Sequence, residues 1–441
     1  MRRLTFSQTI LCCGLVLGVG TFTHAQDQAQ PPVPFQGVKV AIDRTGLDPA
    51  AAEELALLRE IPPILAQLDN RETAADQQKR LRQQAVRLLR KAARSGRTPS
   101  QKEYLLALAA DLGRNKWDKS QDLWLSKEKA PVEILISPGQ QGKKLAVYIL
   151  IRQKELTEQA EKYTAILDKM LDNLDPMTQH PPLDKGLISP ILIFDTAYAS
   201  TSPQTIMVFP QVPRKTTGTD FDILVSRNLL AVYFDQLIQP TAAKIFVKTT
   251  EKMVDASAHL SCFLVHRLAH FLGPVFVSEE SEKPVLVSQQ LKNYFSPIEE
   301  LRAEASSLLS YQVLEKEKLI SEEERTRMFY TQVATWVERL RLAPESAASR
   351  PYIILFNHLL KNDAILYDIS EKKIRLDLDN LQSAALKLYR RLEQIESSGN
   401  YTDAAQFMTQ GKSIKPSPEL LELLKQLVDI PADIQVAGFS D

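Results

Sequence analysis

His266 and His270 stand four residues apart in the segment Val265-His266-Arg267-Leu268-Ala269-His270-Phe271-Leu272-Gly273-Pro274. On a helix, side chains at i and i+4 leave from one face, so both imidazoles can reach one metal ion. In a helical zinc hydrolase the residue after the first histidine is a glutamate, the general base that takes a proton from water. Here that residue is Arg267, a donor with no acceptor atom. The spacing is that of a metal site, and the residue at the reacting position cannot act as a base.

A zinc hydrolase site takes three protein ligands and leaves one position open. A source for the third ligand lies some 30 residues on, in Ser296-Pro297-Ile298-Glu299-Glu300-Leu301-Arg302-Ala303-Glu304. Ser-Pro followed by acids is a helix start, with proline near the first turn and carboxylates at the positive end of the dipole. Two histidines from one helix and a glutamate from the next satisfy the count. A further carboxylate could hold the outer N–H of a ligand histidine. Taken alone, Glu299, Glu300 and Glu304 would read as a solvated helix face. An HxxxH pattern alone also recurs by chance, and a lone histidine on an apolar face is more often core. Yet of the histidines after residue 25 (His180, His259, His266, His270 and His358), three fall within twelve residues. Arg267, beside three carboxylates, could also offset their charge in a metal-free site as a buried Arg–Glu pair. Cys262, one turn before His266, reads as a small buried hydrophobe in preference to a ligand or nucleophile.

Together these two segments resemble the dipeptidyl-peptidase III family of zinc exopeptidases, whose members carry a His-Glu-x-x-(x)-His helix and then a Glu-Glu-x-x-Ala-Asp/Glu helix. The shorter histidine spacing resembles the bacterial branch. So do Phe209-Pro210 with Lys215 to Asn228, the Phe234-Asp235-Gln236 to Ile238-Gln239-Pro240 helix, Asn357-His358-Leu359-Leu360 with Ala364-Ile365, and the closing Asp429-Ile430-Pro431-Ala432-Asp433-Ile434. The resemblance covers about residues 120–436. It implies a two-lobed zinc-peptidase-like architecture, with His266, His270 and Glu300 as zinc ligands, Glu299 in the shell behind them and Glu304 as a helper near the site. It also exposes losses. Arg267 occupies the general-base position, and Phe271 replaces a glycine. Glu345-Ser346-Ala347-Ala348-Ser349-Arg350-Pro351 contains no histidine where the family has one that stabilises the transition state. Loss of the base alone removes on the order of 10²–10⁴ in rate.

The elements that must position these residues are mostly helical. The chain has 441 residues, 44% hydrophobic, with only 15 glycines, a composition that favours helices around an ample core. Its 54 basic and 54 acidic side chains balance, which removes the electrostatic case for nucleic acid or an anionic membrane surface. Arg2-Arg3, the short apolar run Ile10 to Val19 and Thr23-His24-Ala25 read as a cleavable secretory signal. A proline-rich leader follows at 26–36, then an N-terminal helical region at 37–125. Helices are expected over Ala51–Leu58, Ile64–Leu68 and Gln78–Ala93. A mixed α/β lobe follows at 126–215, with strands at 132–136, 144–151, 191–194 and 205–209 and one helix over 155–174. Residues 216–436 read as an almost wholly helical domain carrying the two motif helices.

The expected fold class is therefore mainly α with a smaller mixed α/β lobe. The functional reading is an exported, periplasmic or secreted, dipeptidyl-peptidase III-like protein. It would be a pseudoenzyme or very weak metallopeptidase that binds peptides, with zinc as its cofactor and no transmembrane segment after signal removal. The alternatives are an active zinc exopeptidase using another base, such as Glu304 or Glu299, and a helical envelope scaffold without metal.

Overall fold

The computed structural model describes residues 38–440, apart from 71–72, 97, 118, 139–144, 175–182, 184–187, 201–205, 210–221, 278–284, 412–413 and 435. The expected signal segment, the leader and His180 lie outside that set. Nine strands occur among the described residues: β1 Val38–Ala41, β2 Val132–Pro138, β3 Leu145–Arg152, β4 Ile191–Ala199, β5 Ile206–Phe209, β6 Asp222–Ser226, β7 Ile365–Asp368, β8 Lys373–Leu376 and β9 Val436–Ser440. The chain divides into two compact units, each assembled from separated stretches.

One unit is built from Gln36–Gln159, Ser189–Leu229 and Gln435–Asp441. Its five-stranded mixed sheet runs β2-β3-β4-β6-β5, with β4 and β6 parallel and the other neighbours antiparallel. All of β6 is buried, as is β3 apart from its two ends. That burial matches the continuous apolar runs Ile223-Leu224-Val225 and Ala146 to Ile151, because a strand covered on both faces loses its alternation. The helices Ala75–Ser95 and Pro99–Arg114 pair closely and share a core with the sheet. The second is delimited by its sequence: Thr98 caps its start by accepting from the Gln101 amide at 3.1 Å, Pro99 follows, and Asn115 closes it in the left-handed conformation.

Three expectations need correction. Residues 222–226 form strand β6, not helix; three apolar residues are too few to show a period. Residues 38–41 form β1, which pairs in parallel with β9 (Val40 opposite Phe439). The expected helix over 155–174 is two, Lys154–Ala165 and Leu167–Leu174.

The other unit, chiefly Ala160–Ile188 and Leu230–Ile434, is helical apart from the β7–β8 hairpin. At its centre lies the 22-residue helix Phe295–Lys316, about 33 Å long. It packs against Ala256–Ala269, Glu322–Leu340, Arg350–Lys361 and Leu378–Ser398. A helix enclosed on all sides must satisfy its own polar groups. Ser306, Ser307 and Ser310 are fully buried, and each donates to the carbonyl four residues earlier, at 2.7–2.8 Å. Small hydroxyls thus let neighbouring helices approach without leaving donors unmet. Mainly helical content with a smaller mixed sheet matches the expected fold class. No described helix is long and apolar enough to cross a membrane.

Candidate functional site

His266 lies in the last turn of Ala256–Ala269, and His270 caps it where the backbone tightens into the 3-10 turn His270–Leu272. Asp255 starts this helix by accepting from the Ala258 amide at 2.7 Å. At the other end, the terminal carbonyls that no helical amide can reach are met by one side chain. Arg302, 2% exposed, donates from Nη1 to the Ala269 carbonyl at 3.2 Å and from Nη2 to the His270 carbonyl at 3.4 Å. A cation here also suits the negative end of the dipole. Arg302 Nη2 lies 3.4 Å from Glu299 Oε1 and Nε lies 2.7 Å from Glu396 Oε2. The clamp explains Gly273: a Cβ at that position would fall 2.1 Å from Arg302 Cζ.

The structure brings His266, His270 and Glu300 together, the group of possible metal-holding side chains found among the described residues. The two Nε2 atoms are 3.2 Å apart; His266 Nε2 is 3.5 Å from Glu300 Oε1, and His270 Nε2 is 3.7 Å from Glu300 Oε2. Donors bound about 2.0–2.2 Å from a tetrahedral zinc lie about 3.3–3.5 Å from one another. The observed edges span that range, so the donor set fits a three-ligand zinc site. The outer nitrogens fit it too. His270 Nδ1 is 2.5 Å from Glu299 Oε1, and His266 Nδ1 is 3.3 Å from Glu304 Oε1. Each ring is thus backed by a carboxylate, the arrangement that orients ligand histidines.

Glu304 is itself fixed, since its Oε2 accepts from Gln332 Nε2 at 2.7 Å and Trp336 Nε1 at 2.9 Å. Tyr352 donates to Glu300 Oε1 at 2.7 Å, and Arg339 Nη1 donates to the Tyr352 oxygen at 2.5 Å. Burial alone would raise the Glu300 carboxyl, but His266, His270, Arg267 and Arg339 outweigh it and hold the group down at about 2. Glu304 follows the same pattern: burial raises it, and His266 and Arg339 bring it below the ordinary carboxylate value.

Arg267 is 7% exposed, with its guanidinium 5.1 Å from the Phe263 ring. Its Nε and Nη1 have no hydrogen-bond partner, and it forms no ion pair among the described residues. The expected alternative of a direct Arg–Glu pair is therefore absent among them, although Glu300 and Glu299 act on Arg267 electrostatically.

The remaining sequence candidates stand elsewhere. His259 stacks on Tyr233, with centroids 5.9 Å apart, and burial pushes its imidazole down to about 3; it is a core histidine. Cys262 is buried against the Met328 carbonyl, and burial pushes its thiol up. His358 lies 2.9 Å from the Ala384 carbonyl. Phe271 is half-buried in the 3-10 turn. Sequence reasoning did not find Arg302, Glu396, Gln332, Trp336, Arg339 or Tyr352, which reach the site from four separate helices and carry no local motif.

The chain thus has a helical unit that brings two histidines and a glutamate together from adjoining helices, and a separate unit built on a mixed sheet. The fold is dipeptidyl-peptidase III-like. The chain is similar to the dipeptidyl-peptidase III structure from Caldithrix abyssi, with 16% identity over 91% of this chain and 97% of that one and a TM-score of 0.79. It is also similar to dipeptidyl-peptidase III from Corallococcus sp. strain EGB, with 22% identity, 89% and 77% coverage and a TM-score of 0.63. No protein-family model and no curated protein matches the chain.

Proposed function

We propose that this chain is an exported, degenerate dipeptidyl-peptidase III-type metallopeptidase that retains a zinc centre and binds peptides with little or no hydrolysis. The observation that carries this reading is the triangle of His266 Nε2, His270 Nε2 and Glu300 oxygens, with edges of 3.2–3.7 Å and each histidine backed by a carboxylate. When bound there, zinc supplies Lewis acidity and a lowered pKa for water. What the chain withholds is the base. Arg267 stands at that position and accepts no proton. Glu299 and Glu304, the two carboxylates that flank Glu300 on the same helix near the site, lie 2.5 and 3.3 Å from the outer histidine nitrogens, so neither stands free to serve as a base.

The test is hydrolysis. Zinc-supplemented protein should release dipeptides from short peptides no faster than His270→Ala, and Arg267→Glu should raise the rate if the base is the principal loss. Dipeptide release by the unaltered chain far above the His270→Ala control would refute the degenerate reading.

A further inference from the structure

The charges around the metal centre point to a second requirement. Arg267, Arg302 and Arg339 contribute three positive charges; Glu299, Glu300 and Glu304 contribute three negative ones. Glu396, paired with Arg302, adds a fourth negative charge when ionised. With both histidines neutral, as zinc ligands must be, these side chains sum to zero or −1. A divalent zinc takes the sum to +2 or +1. With glutamate in place of Arg267 the zinc-loaded sum would be 0 or −1. The arginine thus leaves a surplus positive charge in a site whose His266, Arg267, Glu299, Arg302 and Glu304 are all at least nine-tenths buried. Uncompensated charge there is costly. Arg267 also has two nitrogens without partners. A guanidinium matches a carboxylate in shape and charge and supplies planar paired donors.

We propose that the metal centre binds zinc together with a carboxylate, and that Arg267 is the residue that demands and recognises this anion. The inference rests on the reading of His266, His270 and Glu300 as zinc ligands. It makes a carboxylate, carried by a free acid or by a peptide C-terminus, the group this site takes up instead of activating water. Because linkage is reciprocal, the anion must tighten zinc binding by the factor by which zinc tightens the anion.

The experiment titrates metal-stripped protein with zinc in a chelator buffer calibrated separately for each added solute. Acetate, a tripeptide with a free C-terminal carboxylate and the same tripeptide amidated are the added solutes. Acetate should tighten zinc binding at least about fivefold in the unaltered chain and less than about twofold in Arg267→Glu and in Arg267→Gln. An acid tripeptide that matches acetate, with no effect of the amide, assigns the peptide C-terminus as an accepted source. Acetate acting alone supports a small free acid. Zinc affinity that ignores acetate in the unaltered chain, or that responds equally in the variants, overturns the inference while leaving the zinc centre standing. Failure of every form to bind zinc under any condition overturns both readings.

Discussion

Replacing Gly273 by alanine should dismantle the clamp that shapes the turn carrying His270. The backbone there has φ −110° and ψ 166°, open to any residue, so the glycine is required by space and not by conformation. The new Cβ would sit 2.1 Å from Arg302 Cζ and 2.4 Å from Nε and Nη2, where real contacts do not fall below 3.0 Å. Something must move by about 0.9 Å. The guanidinium cannot swing aside freely, because Arg302 is 2% exposed and held by Glu396, Glu299 and two carbonyls. Retreat breaks a buried charge pair and uncaps the histidine helix, a loss of roughly 3–5 kcal/mol. His270 lies three residues away, so zinc affinity should fall about 10–100-fold with it. Urea unfolding and competitive zinc titration measure both. Gly46→Ala is the control: nothing lies within 4 Å of its Cβ, and its effect should stay within about 0.5 kcal/mol. A Gly273→Ala protein with the stability and zinc affinity of its parent would refute the clamp.

Glu299→Gln and Glu304→Gln should each weaken zinc binding about 10–100-fold, read by chelator competition, because each removes the carboxylate behind a ligand histidine. Asp255→Ala removes the cap of the histidine helix and should cost about 1 kcal/mol by urea unfolding, more if its ion pair with Arg327 contributes. Burial raises the Glu54 carboxyl to about 7 from an ordinary 4.5, against the opposing hydrogen bond from Gln101. Its proton is therefore held more tightly in the fold. The stability it contributes is full below pH 4.5 and is lost as pH rises through 7, by of order 3 kcal/mol at most. Glu54→Gln should flatten that part of the stability profile between pH 4.5 and 7.

Local periodicity made part of the site legible. The i,i+4 relation places His266 and His270 on one face, and Glu299, Glu300 and Glu304 fall on the facing helix as expected, although that helix starts at Phe295, ahead of Ser296-Pro297, and has no acid in its first turn. Residues that depend on tertiary packing were not legible. Arg302 reads as an ordinary surface cation within three residues of three acids, yet it is buried as the clamp. Tyr352 and Arg339 reach Glu300 and Glu304 from two further helices, a meeting no spacing encodes. The fold divides the same way: capped amphipathic helices such as Pro99–Arg114 announce themselves, whereas β6 is a short buried strand whose parallel partner β4 lies some 30 residues earlier.

On the proposed reading, the metal-binding frame persists although its base has been replaced. Elemental analysis of the purified chain, equilibrated with zinc and freed of excess, tests it most directly. One zinc per chain is expected, lost in His266→Ala while the helical spectrum is retained. A chain that takes up no zinc, or that holds it equally well without His266, would contradict it.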